Sequence, residues 1–328
     1  MRKTRKSKLK GQKQILLVGL FVFVTLMTIG YAAFNTNITL HVKGNIKTKP
    51  VDIGGVKVTP VTEGDGLYED EYEEGRYVYR GANPNNYIEF NNELWRIISK
   101  EADGTYKILR NEVLPEQKAF DSQGARTTGY CSQGSAPTSG CNAWSSTANM
   151  VGSPSEFTNE SYTGSVDADS EMLTYLNGEY LDSITVNKDK IVNHDYNIGA
   201  VVYNNNDLAA QIEGEKAYKW NGKVGLISHS DYINANSNQE LCGTDKINYE
   251  ICRNNDWMYI SGSYWWTLSP RADYSYIVWN VNYGGTLHDG NLTDNYANFS
   301  NGVRPAVYLT SNLSLSGSGT ESDPFIIG

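Results

Sequence analysis

The residues that could do chemistry in this 328-residue chain are few and scattered. The four histidines are His41, His194, His229 and His288. No HExxH pattern sets two of them on one helix face, and the sequence has neither a GxSxG nucleophile elbow nor a P-loop. The run 228–231 (SHSD) is too local for a catalytic triad, whose members must converge in space. The sequence therefore predicts no catalytic residues, no cofactor and no enzyme activity.

Oxygen-bearing side chains give only a weak indication of a metal site. Asp289, Asn291 and Asp294 are close enough in sequence to supply oxygen ligands to calcium. A calcium-binding loop needs further ligands at fixed positions, and the remainder of that pattern is missing. We therefore predict no metal site.

Four cysteines form two pairs with equal spacing. Cys131 and Cys141 are ten residues apart, as are Cys242 and Cys252, and neither pair has the CxxC spacing of a zinc knuckle or thioredoxin site. Three pairings exist, of which the local one closes two short loops rich in Gly, Ser and Asn. Each such bridge contributes about 2–3 kcal/mol to stability. Disulfides favour an exported protein, and four free thiols are the alternative.

The first 34 residues also predict export. Seven cations and no acid lie within residues 1–13, and twenty uncharged residues follow at 15–34. A run of that length is about enough to cross a bilayer of about 30 Å, and the positive flank keeps the N-terminus inside. The run is either an uncleaved anchor or a signal peptide cleaved after Ala32. We expect a membrane protein with an extracellular C-terminal domain, or a secreted protein.

The rest of the chain is acidic. The chain has 28 Lys and Arg residues, so without the seven in the tip 21 basic residues face 37 acidic ones, a net charge of −16. A phosphate backbone needs a basic surface, which makes nucleic acid an unsuitable partner. The membrane is expected to be contacted through the N-terminal helix.

Composition divides the chain into three parts. Residues 1–34 are the basic tip with the signal peptide or anchor helix, residues 35–75 a short strand and an acidic stalk, and residues 76–328 the globular domain. The stalk contains two prolines and the acidic run 69–74 (EDEYEE), which is typical of a solvated linker.

The globular part predicts both strands and helices. Strand-like stretches at 94–98 and 106–109 flank an Asp-Gly pair at 103–104, which predicts a tight hairpin turn. A helix is predicted after Asp169, an N-cap residue, because apolar side chains then recur every four residues. These side chains are Met172, Leu176, Tyr180 and Ile184. A second helix is predicted from Asp207.

The last hundred residues lack a helical period and predict short strands at 276–281, 286–288 and 303–309. In the first of these, alternation directs Ile277, Trp279 and Val281 to the core. The other face would then carry Tyr276, Val278, Asn280 and Asn282. Helices early and antiparallel strands late indicate an α+β domain.

Three motifs near the C-terminus are the most specific feature of the sequence. They are 264–271 (YWWTLSPR), 278–282 (VWNVN) and 302–309 (GVRPAVYL). On these residues the chain resembles uncharacterised surface proteins of Gram-positive bacteria with a C-type-lectin-like fold. The likeness extends upstream through the Trp95 hairpin, residues 174–177 and residues 223–227. It implies a C-type-lectin-like domain over residues 76–328, with short antiparallel strands, two or three helices and long loops.

The resemblance implies little about activity. Calcium-dependent lectins use Glu-Pro-Asn or Gln-Pro-Asp with Trp-Asn-Asp, whereas here 279–281 reads WNV, so calcium-bridged sugar binding is not implied. Formylglycine-generating enzymes share this fold class and some use cysteines. The cysteines here look structural, and that activity is not carried over. Arg304 and the tryptophans at 265–266 are interpreted as structural residues.

Segment 272–302 has the composition of a binding loop. Sixteen of its 31 residues are Asn, Tyr, Asp, Ser or His, and none is Lys, Arg, Glu or Pro. Tyr supplies rigid contact area and the others adaptable hydrogen bonds, although ordinary polar loops share this composition. Lectin-like targets of diversity-generating retroelements also vary in these five residue types near their C-terminus, which makes diversification a hypothesis. The predicted contacts are Tyr274, Tyr276, Asn280, Asn282, Tyr283, His288, Asp289, Asn291, Asp294, Asn295 and Tyr296.

We therefore expect an extracellular binding module displayed on a bacterial cell surface. Its partner would be a protein or glycan on another cell, a phage or a host surface. One alternative is a cell-envelope enzyme of the formylglycine-generating-like fold, which needs a cleft with a strongly perturbed acid, base or metal site. Another is a structural envelope or matrix subunit, which would self-assemble and tolerate substitutions throughout 272–302.

Overall fold

A computed structural model describes residues 49–122, 129–146, 165–202, 207–243, 249–282, 287–288 and 296–328. The chain divides into two units, residues 1–47 and 48–328. The expected membrane or signal helix at 15–34 and the expected strand at 37–46 lie outside the described residues. Among the residues described, no helix has the length and apolar character needed to cross a membrane.

The fold is mixed α+β, with many short strands and few short helices. In the first half the strands are β1 Val51–Ile53, β2 Val56–Val58, β3 Gly66–Glu69, β4 Tyr77–Arg80, β5 Tyr87–Phe90, β6 Glu93–Lys100, β7 Tyr106–Arg110 and β8 Lys118–Ala119. In the second half they are β9 Ile191–Val192, β10 His194–Asn197, β11 Lys219–Gly222, β12 Val224–Gly225, β13 Trp265–Pro270, β14 Val278–Val281, β15 Leu287–His288, β16 Ser300–Asn301, β17 Ala306–Leu309, β18 Leu315–Ser316 and β19 Phe325–Ile327.

The helices that the structure describes are all short. They are α1 Ala136–Ser139, α2 Glu171–Tyr175, α3 Leu181–Ser183, α4 Leu208–Lys216, α5 His229–Asn234, α6 Gln239–Cys242 and α7 Tyr249–Arg253. A π-helical stretch, Leu176–Tyr180, joins α2 to α3. Single 3₁₀ turns occupy Tyr130–Ser132 and Lys188–Lys190.

One large sheet organises the domain. Within the described part of the chain it has ten strands, in the order β12-β17-β7-β6-β5-β19-β18, with β3 and β4 reached through β6 and β9 paired with β17. All of its pairings are antiparallel except that of β19 with β5. The second sheet, β13-β14-β15, has three antiparallel strands. Three two-stranded ribbons complete the list: β1-β2, β10-β11 and β16-β8.

The predicted Trp95 hairpin is confirmed. Strands β6 and β7 pair antiparallel, and Gly104 takes the positive φ of 90° that the turn needs. Inside the hairpin Trp95 is fully buried and packs its ring against Phe90 at 5.2 Å, edge to face. The hairpin therefore supplies the centre of the large sheet and part of the main core.

The two predicted helices are confirmed, with one change of cap. Met172, Leu176 and their successors at four-residue spacing are buried, as the period predicts. The N-cap of α2 is Ser170, whose Oγ accepts from the Leu173 N–H, whereas the predicted cap lies one residue earlier. Asp207 caps α4 as expected by accepting from the Ala210 N–H at 3.2 Å.

Two regions differ from expectation. The described stretches 229–243 and 249–253 form three helices of four to six residues, too short for a hydrophobic period to show in sequence. Residues 48–75 belong to the same compact unit as the rest of the domain rather than to a stalk. Ile53 and Leu67 lie in the main core, because β3 pairs along β4 and the β1–β2 ribbon packs against the sheet.

The cysteines form the local pairing, Cys131–Cys141 and Cys242–Cys252. The first bridge lies in a small core of its own with Tyr130, Ala143 and Val166, separate from the two larger cores. Among the described residues no cysteine is free. Two disulfides are compatible with an extracellular or secreted protein.

Candidate functional site

Strand β14, within segment 272–302, lies inside the protein. It is the middle strand of the three-stranded sheet, between β13 and β15. Val278 joins the main core, and Trp279 and Val281 join a second core on the opposite face. Both faces are therefore covered, and the expected polar, exposed face does not exist.

Because β14 is buried, the predicted ligand contacts Asn280 and Asn282 are buried as well. Asn280 is fully buried and pairs with Trp266 on β13 and with His288 on β15. Asn282 is 7% exposed. As placed, Asn280 holds the sheet together and does not reach the surface.

The predicted tyrosines come together at the surface. Tyr274 and Tyr276 have ring centroids 5.2 Å apart, and Tyr276 and Tyr296 are 5.5 Å apart. Phe299 extends the row, 5.9 Å from Tyr296, and 41% of its area is exposed. The tyrosines are each half-buried. We call Tyr274, Tyr276, Tyr296 and Phe299 the aromatic surface.

The rings of the aromatic surface are tilted against one another. The interplanar angles are 60° for Tyr274 with Tyr276, 72° for Tyr276 with Tyr296 and 58° for Tyr296 with Phe299. Edge-to-face contacts of this kind are favourable between aromatic rings. The four rings therefore form an uneven aromatic patch with edges and grooves, and not a row of coplanar rings.

One neutralised ion pair borders the aromatic surface. Arg271 lies over the ring of Tyr274, 4.7 Å from its centroid. Its guanidinium donates two hydrogen bonds to the carboxylate of Asp273, a bidentate pair. The cation therefore supports the ring while its charge is balanced locally.

The remaining predicted contacts are not placed by the structure. Tyr283, Asp289, Asn291, Asp294 and Asn295 lie outside the described residues. The backbone of His288 is in β15, but its side chain is not described. Phe299 was missed because an apolar residue in a polar segment is most often core. Its position within segment 272–302, three residues after Tyr296, was the signal that the sequence offered.

A polar cleft lies elsewhere in the domain. It is a small space of about 50 Å³, lined by residues of the 70–76 segment, β7, α4 and α5. Arg76 donates to Glu101 at 3.0 Å, to Asp70 and to Asp231, and Lys107 binds Asp231 at 2.6 Å. Burial opposes ionisation of Asp231, but the two cations hold its pKa below the usual value. These charges satisfy one another.

Glu215 on α4 lies behind this cleft and is fully buried. One carboxylate oxygen accepts from the Ser230 N–H at 3.2 Å and from Ser269 Oγ at 2.8 Å, and the other accepts from Ser230 Oγ. Burial raises the pKa of Glu215 to about 7. The side chain can therefore change its charge near neutral pH.

The run 228–231 builds the start of α5. The Ser228 hydroxyl accepts from the Asp231 N–H and the Asp231 carboxylate accepts from the Ser228 N–H, a capping box. His229 is fully buried with its ring 4.6 Å from Trp279, and burial lowers its pKa to about 3. Within the described part of the chain, neither ring nitrogen has a hydrogen-bond partner. The run is therefore a helix cap, not a catalytic triad.

No three His, Cys, Asp or Glu residues group into a candidate metal site within the ranges that the structure describes. The Asp289, Asn291 and Asp294 side chains lie outside those ranges.

Comparison with known proteins gives one family match, over part of the chain. Residues 149–311 match the family model "Domain of unknown function (DUF6273)". No curated protein and no solved structure matches the chain.

The DUF6273 match contains the aromatic surface and the second sheet but not the whole fold. Strand β17, inside the match, pairs with β7 outside it, from Ala306 with Leu109 to Leu309 with Tyr106. The large sheet therefore joins residues of the matched region to the Trp95 hairpin.

Proposed function

We propose that this protein is an extracellular recognition module that binds a protein ligand through the aromatic surface. The observation that carries the proposal is the row of Tyr274, Tyr276, Tyr296 and Phe299, half-buried or exposed and in ring contact. Tyrosines give a rigid amphipathic contact area at low entropic cost. Exposed aromatic residues on a supported patch are frequent hot spots of protein interfaces.

The tilt of the rings favours a protein over a glycan. A sugar stacks its flat face on the plane of an aromatic ring, and successive sugars need successive parallel planes. The interplanar angles of 58–72° present edges and grooves instead. Such relief suits the uneven surface of a folded protein, where shape complementarity excludes water.

The wider setting is also part of the proposal. The two disulfides support an extracellular location, and the uncharged run 15–34 would act as membrane anchor or signal. The C-type-lectin-like resemblance stays a proposal: its three frame motifs coincide with β13, β14 and β17 of a mixed α+β domain. Diversification of 272–302 would then vary loops around a fixed aromatic surface.

The cell-envelope enzyme remains the rival function and would use the polar cleft. The cleft meets one requirement, a perturbed acid nearby in Glu215. Its other charges are engaged in ion pairs with one another. Those pairs favour a structural role for the cleft and leave the aromatic surface as the better candidate.

We expect the double variant Tyr276→Ser, Tyr296→Ser to lose at least about 30-fold in affinity for the protein ligand, because each hot-spot aromatic contributes about 2 kcal/mol. Ligands would be selected with the full chain from a display library of extracellular bacterial and host proteins, and from an array of bacterial surface glycans. Affinities would then be measured by biolayer interferometry on the identified ligand.

Tyr259→Ser is the matched control, since Tyr259 is also half-buried but lies outside 272–302. It should bind like the unaltered chain. Selected proteins that bind the double variant unchanged would overturn the proposal, as would an array result in which only glycans bind.

A further inference from the structure

The aromatic surface has little regular structure of its own. Tyr274 and Tyr276 precede β14, and Tyr296 and Phe299 precede β16. Three backbone hydrogen bonds lie within or between these stretches: Arg271 N–H to Ile277 O at 3.0 Å, Ala297 N–H to Tyr276 O at 2.9 Å and Phe299 N–H to Tyr296 O at 2.9 Å. Its shape must therefore be fixed by what lies beneath it.

Asn142 lies directly beneath the first stretch and is fully buried. Its side-chain Nδ2 is 2.6 Å from Tyr274 O, 2.9 Å from Ile277 O and 3.4 Å from Arg271 O. An amide has two N–H donors, so the two shorter contacts are the strong ones. Its backbone N–H also donates to Ser275 O at 2.9 Å. One side chain thus fixes the turn that carries two of the four rings.

The same loop holds the second stretch. The Asn298 N–H donates to Ser139 O at 3.0 Å and Asn298 Nδ2 donates to Thr138 O at 3.1 Å. Ser275 Oγ reaches Gln133 O at 2.6 Å. Residues 129–142 therefore contact both stretches of the aromatic surface.

The Cys131–Cys141 disulfide closes this loop directly next to Asn142. Cys131 follows Tyr130 and Cys141 precedes Asn142, and the Tyr130 hydroxyl donates to Asn142 Oδ1 at 2.9 Å. The loop packs in the small third core, not in either large one. The bridge and this hydrogen bond therefore act together with the small third core to position Asn142.

We propose that the disulfide-closed loop 129–142 is a clamp that sets the shape of the aromatic surface, with Asn142 as its positioning residue. The functional meaning of the clamp rests on the proposed recognition function. Opening the clamp would release the rings while the large sheet stays folded. The surface would thereby lose binding without loss of the domain.

The Cys242–Cys252 bridge provides a matched control, since its cysteines are also ten residues apart. It ties α6 to α7, and Cys252 O accepts from Asn236 Nδ2 at 2.7 Å. It serves a different part of the domain. Cys131→Ser/Cys141→Ser and Cys242→Ser/Cys252→Ser therefore remove equivalent bridges with different neighbours.

Hydrogen exchange followed by mass spectrometry or NMR on the full chain tests the clamp without a ligand. In Cys131→Ser/Cys141→Ser we expect the amides of Arg271, Ala297 and Asn298 to exchange at least about 30-fold faster. The amides of Ile97 and Ile108 in the large sheet should keep their rates. The Cys242→Ser/Cys252→Ser variant should leave all three surface amides unchanged.

Asn142→Asp is the second variant and keeps both disulfides. Aspartate preserves the shape and the acceptor for Tyr130, but it removes both donors and turns a carboxylate toward carbonyl oxygens. It should speed exchange of the same surface amides, whereas a role limited to filling space would leave them unchanged.

Unchanged surface amides in both the Cys131→Ser/Cys141→Ser and Asn142→Asp variants would overturn the clamp. So would equal acceleration of the surface and sheet amides, which would mean global destabilisation. The hydrogen-exchange test needs no ligand. If exchange at the aromatic surface accelerates locally but the ligand selection yields no protein, only the recognition function is refuted.

Discussion

Replacing Arg304 with alanine is expected to lower the free energy of unfolding by about 3–5 kcal/mol. Arg304 is 1% exposed, and its guanidinium donates to Arg110 O at 3.1 Å, to Asn111 O at 2.9 Å and to Met258 O at 2.7 Å. Burial lowers its pKa to about 9, so the group is still charged at neutral pH. Alanine would remove a donor from three carbonyls, one buried and two partly buried, and open a cavity beside Trp265.

Arg304→Met separates these two causes. Methionine fills much of the arginine volume but donates no hydrogen bond, so it should recover only the part of the loss that comes from the cavity. Urea unfolding at pH 7 measures both variants. Lys219→Ala, at a side chain 53% exposed, is the control and should change stability by less than about 0.5 kcal/mol. A loss below about 1 kcal/mol for Arg304→Ala would contradict the structural role.

The second prediction with a large effect concerns the free energy of unfolding, whose pH dependence we assign to Glu215. Burial raises its pKa to about 7 from an ordinary 4.5, so between these values the folded state binds a proton that the unfolded state does not. The contribution of protonated Glu215 to the free energy of unfolding is therefore fully present below about pH 4.5, and it is lost as the pH rises through about 7. The difference corresponds to about 3 kcal/mol between the two limits.

Glu215→Gln is expected to remove this dependence. An amide cannot ionise, and its oxygen can still accept from the Ser230 N–H and from Ser269 Oγ. The variant should therefore gain about 3 kcal/mol relative to the unaltered chain between pH 4.5 and pH 8, measured by urea unfolding at each pH.

Two other buried groups titrate but cancel in that comparison. Burial also raises the pKa of Asp256 to about 7 and lowers that of His229 to about 3, and both groups remain in both proteins. Glu213→Gln, on the same helix with its side chain 76% exposed, is the control and should follow the unaltered chain. Parallel pH curves for Glu215→Gln and the unaltered chain would refute the assignment.

Local patterns in the sequence predicted local structure well. The Asp-Gly turn gave the β6–β7 hairpin, and the four-residue period gave the helix that begins at α2. The tryptophans at 265–266 and Arg304 were correctly interpreted as structural, since all three are buried. Each of these inferences depends on residues within a few positions of one another.

The predictions that failed concern contacts between residues that are far apart in the sequence. Period-two alternation in β14 predicted one exposed face, but a second core covers that face, and alternation cannot reveal a covering from elsewhere in the chain. The acidic run 69–74 looked solvated, yet Asp70 is buried because Arg76 binds it. Arg76 also binds Asp231, which is far away in sequence.

The candidate site was predicted in part. Tyr274, Tyr276 and Tyr296 form the surface row, which composition suggested, but Asn280 is buried and Phe299 joins the row. The support by Asn142 could not be foreseen, because it depends on three carbonyls contributed by a turn more than a hundred residues away.

The parallel pairing of β19 with β5 has a consequence for how the protein is made. Phe325 lies beside Ile88, so strand β5 has to wait for a partner strand that is synthesised more than two hundred residues later. Until then the free edge of β5 exposes unpaired backbone groups that could pair with another chain. Folding of the large sheet is therefore completed only after residues 325–327 have left the ribosome. A nascent chain halted before them should stay protease-sensitive and bound by chaperones.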